Sequence, residues 1–180
     1  GYNGLITNSF AVLAMGGWGA SFYQSPAPQD FDSFIGQAEV KWLITPSPSN
    51  DPAAASLSLS SLAAGFTRDF ADAYIGTYEE INRGYLKFSY MFAGRFLLVV
   101  AGGVAAVVYP PIESLGTDSF TTIRIDPSVF GEYRFFDFFG VNATVRYDTN
   151  ITDQTVSSGD TNEQLQWQRF QAYLGARVMW

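Results

Sequence analysis

Cysteine and histidine are both absent from this sequence of 180 residues. Without cysteine the chain has no disulfide framework, no thiolate nucleophile and no thiolate ligand for a metal. Without histidine it lacks the usual general base, the Ser-His and Cys-His mechanisms and most zinc sites. We therefore expect no metal and no other cofactor, and we expect that the protein is not an enzyme.

Charged side chains are scarce as well, at 15% of the residues, against about 25% in a usual soluble domain. The formal net charge is −7, which argues against a nucleic-acid partner. Hydrophobic residues make up 47% of the chain and aromatic residues 17%. So few charges would hardly cover a soluble protein, whereas they are sufficient where part of the surface faces lipid.

Long hydrophobic runs are missing too. The longest, from 96 to 109, is shorter than the ~20 residues that a transmembrane helix needs. It lies between Arg95 and Pro110 and is rich in β-branched residues, so it predicts a strand. No basic segment followed by an apolar one opens the chain. We therefore take residues 1–180 as a mature, processed form that folds as a single domain.

Apolar and polar residues alternate with a period of two along the whole chain, a pattern typical of strands with one apolar face. It is clearest near the C-terminus, where Arg169 and Arg177 alternate with Phe170 and Leu174. A phase switch predicts a β-bulge at Ser60–Ser61, and Pro127 predicts an interruption. The eight predicted strands cover roughly 8–23, 32–45, 55–68, 77–92, 95–109, 120–136, 141–152 and 165–180.

The predicted connections alternate in length. Those at 92–95 and 136–141 are short, whereas those at 24–31, 69–76, 110–119 and 153–164 are longer and rich in Pro, Gly, Ser and Asp. Short turns on one side and longer loops on the other are typical of an up-and-down antiparallel transmembrane barrel. The 46–54 segment is an exception, because it is long although it falls on the short side.

The alternation alone does not decide which face points inward, because a soluble barrel has an apolar interior and a membrane barrel inverts it. The basic residues of the polar faces are mostly arginine, which suits buried ion pairs. Aromatic residues at strand ends resemble the girdles of membrane–water interfaces. We therefore predict a packed, charged interior. Its network comprises Lys41, Arg83, Lys87, Arg124, Arg134, Arg146, Arg169 and Arg177, with Glu39, Asp126, Glu132 and Asp148.

Acidic residues gather in the predicted loops, which also suggests divalent-cation binding, although no known ligand spacing is present. Glu79 and Glu80 belong to this acidic group. As neighbours in an extended segment they should point to opposite faces, which argues against a catalytic carboxylate pair. The other members are Asp30, Asp32, Asp69, Asp72, Glu113, Asp118, Asp153, Asp160 and Glu163.

The last predicted strand ends on an aromatic residue in the outward register. Ala172, Leu174, Ala176, Val178 and Trp180 resemble the C-terminal targeting sequence of outer-membrane barrel proteins, in which the usual last residue is Phe. That resemblance implies recognition by the barrel-assembly machinery. In its length and predicted strands the chain resembles the small eight-stranded OmpA- and OmpX-type barrels.

The resemblance implies an integral protein of the Gram-negative bacterial outer membrane that contacts lipid and lipopolysaccharide. We expect a structural anchor or a subunit of an envelope assembly, with other envelope proteins as its partners. Two alternatives stay open. One is a narrow porin-like channel that prefers anions, because basic residues outnumber acidic ones in the predicted network. The other is a soluble lipocalin-like barrel that binds lipid, with inside and outside exchanged.

Overall fold

The structure is a computed structural model that describes residues 1–23, 30–44, 60–73, 76–111, 117–136, 138–158 and 161–178, with the backbone alone at 156–158 and 161–163. The described residues form β1 (Tyr2–Thr7), β2 (Phe10–Ser21), β3 (Phe31–Leu43), β4 (Ser61–Asp72), β5 (Tyr78–Phe92), β6 (Phe96–Tyr109), β7 (Phe120–Ile125), β8 (Ser128–Phe136), β9 (Phe139–Ile151), β10 (Thr155–Ser158), β11 (Thr161–Gln164) and β12 (Trp167–Val178). Within these ranges, no helix has both the length and the apolar character to cross a membrane.

Ten of the strands form one antiparallel sheet in the order β1-β2-β3-β4-β5-β6-β7-β9-β12, with β8 paired to β6 and β9. Nearly every strand pairs with the next one along the chain, as in an up-and-down meander. The prediction of an all-β, antiparallel fold is confirmed. In the part of the chain that the structure describes, β1 pairs with β2 and β12 with β9, and no ladder joins β12 to β1 or β2.

Pro127 interrupts one pass of the sheet, as predicted. β7 ends at Ile125 and β8 begins at Ser128. Main-chain hydrogen bonds continue across the break, because Asp126 N donates to Gly103 O at 3.2 Å and Tyr147 N donates to Pro127 O at 3.0 Å. The two strands therefore act as one pass, although proline has no N–H to donate to the ladder.

The predicted first strand, 8–23, is wrong at its N-terminal end. The chain forms a hairpin there, in which Thr7 Oγ1 accepts hydrogen bonds from the main-chain N–H groups of Ser9 (3.3 Å) and Phe10 (3.1 Å). The described residues therefore make nine passes instead of eight. β1 escaped prediction because it is short and contains Asn3 and Gly4, residue types that are depleted in strands.

The other strand boundaries differ from the prediction by a few residues. The apolar run 96–109 forms β6, as predicted. β4 continues to Asp72, so the predicted 69–76 connection begins too early. β4 begins at Ser61. Residues 45–59, which include the last residue of the predicted second strand, the 46–54 segment and the first part of the predicted third strand, lie outside the described residues. The 153–164 connection contains the β10–β11 hairpin.

The sheet has two distinct ends. The turns after β1, β5 and β8 lie at what we call the turn end, and there Ala93 (φ 46°) and Gly94 (φ 68°) adopt the left-handed backbone of a tight turn. The connections that follow β2, β4, β6 and β9 lie at the opposite end, which we call the loop end. Short and long connections therefore separate onto the two ends of the sheet, apart from the connection after β3.

Directly opposed residues divide the sheet into two continuous faces. One row, which defines the apolar face, consists of Phe10, Trp42, Leu62, Phe88, Val100, Val129, Val145 and Ala172. The adjacent row, which defines the polar face, consists of Ala11, Lys41, Ala63, Lys87, Ala101, Ser128, Arg146 and Gln171.

The polar face is the more enclosed of the two. Thr122 is 1% exposed there and Asp148 4%, whereas Leu86 on the apolar face is 61% exposed and Leu174 87%. Burial decreases toward the sheet edges. On the polar face, Met15 of β2, which lies just beyond the part of that strand paired with β1, and Tyr173 of the edge strand β12 remain exposed.

Candidate functional site

The twelve residues of the predicted interior network lie on strands of the sheet or at the β7–β8 break, and most of them form ion pairs along the polar face. The ion pairs are Lys41–Glu39 at 3.8 Å, Arg83–Asp126 at 2.8 Å, Arg134–Glu132 at 2.9 Å, Arg146–Asp148 at 2.8 Å, Arg169–Asp148 at 3.1 Å and Arg177–Glu132 at 3.7 Å. In the described ranges, Lys87 has neither an ion pair nor a hydrogen bond through its side chain.

Tyr85 crosses a neighbouring strand to reach its partner. From β5 it extends over β4 and donates to Glu39 Oε2 on β3 at 2.6 Å, while it accepts from Gln37 Nε2 at 3.3 Å. Gly65 is the residue of β4 that lies beneath the ring, and a Cβ there would come within 2.5 Å of Tyr85 Cζ. Because Gly65 has no side chain, the Tyr85 ring can occupy the space above it.

Arg83 crosses a strand in the same way. Its Nε and Nη2 atoms donate to the two carboxylate oxygens of Asp126 at 2.9 and 2.8 Å, in a bidentate pair. Gly103 of β6 lies beneath it, and a Cβ there would be 2.7 Å from Arg83 Cζ. At Gly65 and Gly103, long polar side chains thus lie along the polar face in the space that a glycine leaves.

Two buried carboxylates each bind a pair of arginines. Asp148 accepts from Arg146 Nε at 2.8 Å and from Arg169 Nη2 at 3.1 Å, and its side chain is 6% exposed. Glu132 pairs with Arg134 and Arg177 and is 4% exposed. Burial of an unpaired carboxylate is energetically costly, so Asp148 and Glu132 each need the positive charge that their arginines supply.

Glu79 was placed in the acidic loops by the sequence, and the structure corrects this. It lies in β5 on the polar face, where Arg124 Nη1 and Nη2 donate to its oxygens at 2.7 and 2.6 Å and Tyr109 Oη donates at 2.7 Å. Glu80 lies on the other face, as predicted, and pairs with Arg68 at 2.8 Å. The network therefore has five acids for its eight basic residues, an excess of three positive charges.

A cavity of about 220 Å³ lies beside Glu79 near the loop end, and we call it the loop-end cavity. Tyr109 and Phe120 stack in its wall, with ring centroids 4.7 Å apart. Its lining residues are Glu79, Tyr109, Phe120, Thr122, Arg124, Asn150, Leu165 and Trp167. Three of these have a buried side-chain atom without a hydrogen-bond partner, namely Thr122 Oγ1, Arg124 Nε and Asn150 Oδ1.

The predicted assembly sequence falls on β12. Ala172, Leu174, Ala176 and Val178 share the apolar face, and all four are exposed. Trp180 lies outside the described residues.

Comparison with known proteins gives no relative. No protein-family model matches the chain, and no match is found among the curated proteins or among the solved structures.

Proposed function

We propose that this protein is an integral outer-membrane β-barrel with a packed, ion-paired interior, which serves as a structural anchor or as a subunit of an envelope assembly. One observation carries the proposal: the ion-paired face of the sheet is the enclosed face, and the apolar face is the exposed one. Trp18 on the apolar face is 69% exposed and Leu174 87%, whereas Glu132 on the polar face is 3% exposed. Lipid is the solvent in which such a surface is stable.

The soluble alternative requires the opposite arrangement. A lipocalin-like barrel holds its ligand against apolar inner side chains and presents charged ones to water. In this sheet the arginine-rich face is the enclosed one. The apolar row from Phe10 to Ala172 is continuous across eight strands and exposed except at the half-buried Phe88, and a soluble monomer rarely exposes so extended an apolar surface.

Aromatic residues near the strand ends of the apolar face support two membrane–water boundaries. At the loop end, Trp18 Nε1 donates to Asp32, so the indole combines an apolar ring with a polar partner. At the turn end, Phe92 packs between Tyr90 and Phe96, with centroids 4.6 and 5.8 Å away. Rings of this kind characterise the interfacial girdles of membrane barrels.

A structural role fits this interior better than a channel does. Among the described residues, β1 pairs only with Phe10–Ala14 of β2, so a barrel closed by the other eight passes has room for little more than side chains. The paired arginines and the cross-strand Tyr85–Glu39 contact take up that room across the middle of the sheet. The proposed partners are outer-membrane lipid and lipopolysaccharide, the barrel-assembly machinery during biogenesis, and other envelope proteins.

The first test places an arginine on the apolar face. The protein is refolded into phospholipid vesicles, folding is followed by the difference in gel migration between unboiled and boiled samples, and unfolding is titrated with guanidinium. Leu86→Arg lies in the middle of β5 and should lower the free energy of unfolding by about 2–4 kcal/mol. Thr121→Arg, near the loop end of β7, should cost about 0–1 kcal/mol.

The two variants distinguish an apolar face that contacts lipid from one that contacts water. If the apolar face met water, arginine at the exposed Leu86 would change stability by no more than about 0.5 kcal/mol. A protein that remains soluble without detergent, shows no change in migration on boiling and tolerates both substitutions equally would contradict the proposal.

A further inference from the structure

The loop-end cavity combines two features that are found together at ligand sites. Its walls are largely apolar and aromatic, and a few polar groups converge among them. Two of its polar residues are among the most buried of the described residues, Thr122 at 1% and Asn150 at 3% exposure. Buried polar atoms are almost always hydrogen-bonded in folded proteins. Three such atoms without a partner in the residues that line one cavity therefore indicate that a bound molecule supplies their hydrogen bonds.

The charges of the cavity exclude an ionic occupant. Glu79 and Arg124 form a bidentate pair, and Tyr109 donates its hydroxyl to the same carboxylate. Arg169, whose Cζ lies 5.8 Å from the centroid of the Trp167 ring, is already paired with Asp148. An ion that entered would lose its hydration without finding an unpaired counter-charge.

The unpartnered atoms exclude a pure hydrocarbon. Arg124 Nε donates only, Asn150 Oδ1 accepts only, and Thr122 Oγ1 does either. Asn150 Nδ2 is already bonded to Leu165 O at 3.0 Å, which fixes the amide with its oxygen free. A complementary ligand must therefore both accept and donate hydrogen bonds, as hydroxyl groups do. A ligand without such groups would leave the buried polar atoms of the cavity unpaired.

The size and shape of the cavity point to one ring. Tyr109, Phe120 and Trp167 supply flat apolar walls, and the volume of about 220 Å³ equals roughly seven water molecules in the liquid. We propose that the loop-end cavity binds a small, uncharged, hydroxylated ring, of the size of one sugar unit or one cyclic alcohol. This proposal concerns the cavity alone and does not depend on a membrane location.

The experiment uses the folded full-length chain and follows tryptophan fluorescence, because Trp167 lines the cavity. The probes are methyl α-D-glucopyranoside and cyclohexanol, with inorganic phosphate as the charged comparison and cyclohexane as the apolar one. We expect a saturable change with at least one hydroxylated probe, and the loss of that change in Trp167→Phe.

A matched pair of variants locates the binding. Thr122→Val removes the unpartnered hydroxyl at nearly constant volume and should weaken probe binding about three- to tenfold, while folding is retained. Thr121→Val, on the other face of the same strand, should leave binding unchanged. The β-sheet signal in circular dichroism, which does not depend on a membrane location, checks that both variants are folded.

Three results would overturn the proposal. The first is that neither hydroxylated probe binds saturably, as expected if the cavity holds water alone. The second is that cyclohexane or phosphate binds as tightly as the hydroxylated probes. The third is that the Thr122→Val and Thr121→Val variants bind the probe with the same affinity.

Discussion

Gly65 and Gly103 lie beneath long polar side chains, and the space above them allows contacts between strands that are not neighbours. Tyr85 reaches Glu39 over Gly65, and Arg83 reaches Asp126 over Gly103. In an ordinary sheet, side chains interact mainly with directly opposed neighbours. The two glycines therefore extend the polar network across three strands each.

Gly65→Ala should destabilise the protein by about 1–3 kcal/mol, because the methyl group would displace the Tyr85 ring and break a bond to a charged carboxylate. The control is Gly84→Ala, since a Cβ at Gly84 meets nothing within 4 Å. Guanidinium titration of both variants measures the difference. In a Tyr85→Ser background, Gly65→Ala should lose its effect, and an unchanged cost there would contradict the steric explanation.

Which residues share the polar face could be predicted from sequence, because the face of a residue in a strand depends on local alternation alone. Their partners could not. Glu79 and Arg124 are 45 positions apart and meet across β6, whose register no local pattern encodes. Glu79 also lies close to a predicted loop, so its charge resembled that of a solvated surface. The loop-end cavity was missed for the same reason, because its walls come from strands distant in sequence.

At the level of elements, β12 depends on carboxylates from other strands. Asp148 of β9 binds Arg169 and Glu132 of β8 approaches Arg177, so both halves of β12 are held on the polar face. Its apolar face is exposed from Phe170 to Val178. The fixed position of β12 therefore comes from the β9 ladder and from these two buried acids.

Asp148→Asn should lower the free energy of unfolding by about 1–3 kcal/mol, because two arginines lose a shared counter-ion and the hydrogen bonds to it become neutral. The lower part of that range allows for solvent around the arginine side chains, which are about half exposed. Asp118→Asn, at an exposed residue, is the matched control. If both variants unfolded at the same guanidinium concentration, Asp148 would have no role in retaining β12.

At the scale of the whole molecule, the strands of the sheet are shifted in register along the row of opposed residues, as the strands of a closed barrel are. The row that begins at Phe10, the first residue of β2, reaches β12 at Ala172, six residues before Val178. Strands that tilt around a barrel shift their register in this way. Met15 of β2 and Tyr173 of β12 lie exposed on the polar face, and closure would cover both.

The direction of the passes decides which strands would meet on closure. β1 and β12 both run toward the turn end, whereas β2 runs toward the loop end, so on closure an antiparallel contact would join β12 to β2. β1 occupies the edge of β2 from Phe10 to Ala14 and leaves the stretch from Met15 to Ser21 for β12. The free carboxyl-terminal half of β2 is thus the proposed closing edge.

Because the chain has no cysteine, paired substitutions test this closure without background. Gly17→Cys introduces a thiol where a Cβ meets nothing within 4 Å, and it is combined in turn with Gln171→Cys, Tyr173→Cys or Gly175→Cys. One combination should form an intramolecular disulfide under oxidation, since its Cα atoms would come within about 4.4–6.8 Å. Gly84→Cys, on the outward face of β5, should form none with the same partners. Disulfides that appear exclusively between two molecules would show that β12 pairs with a second chain and that the barrel does not close on itself.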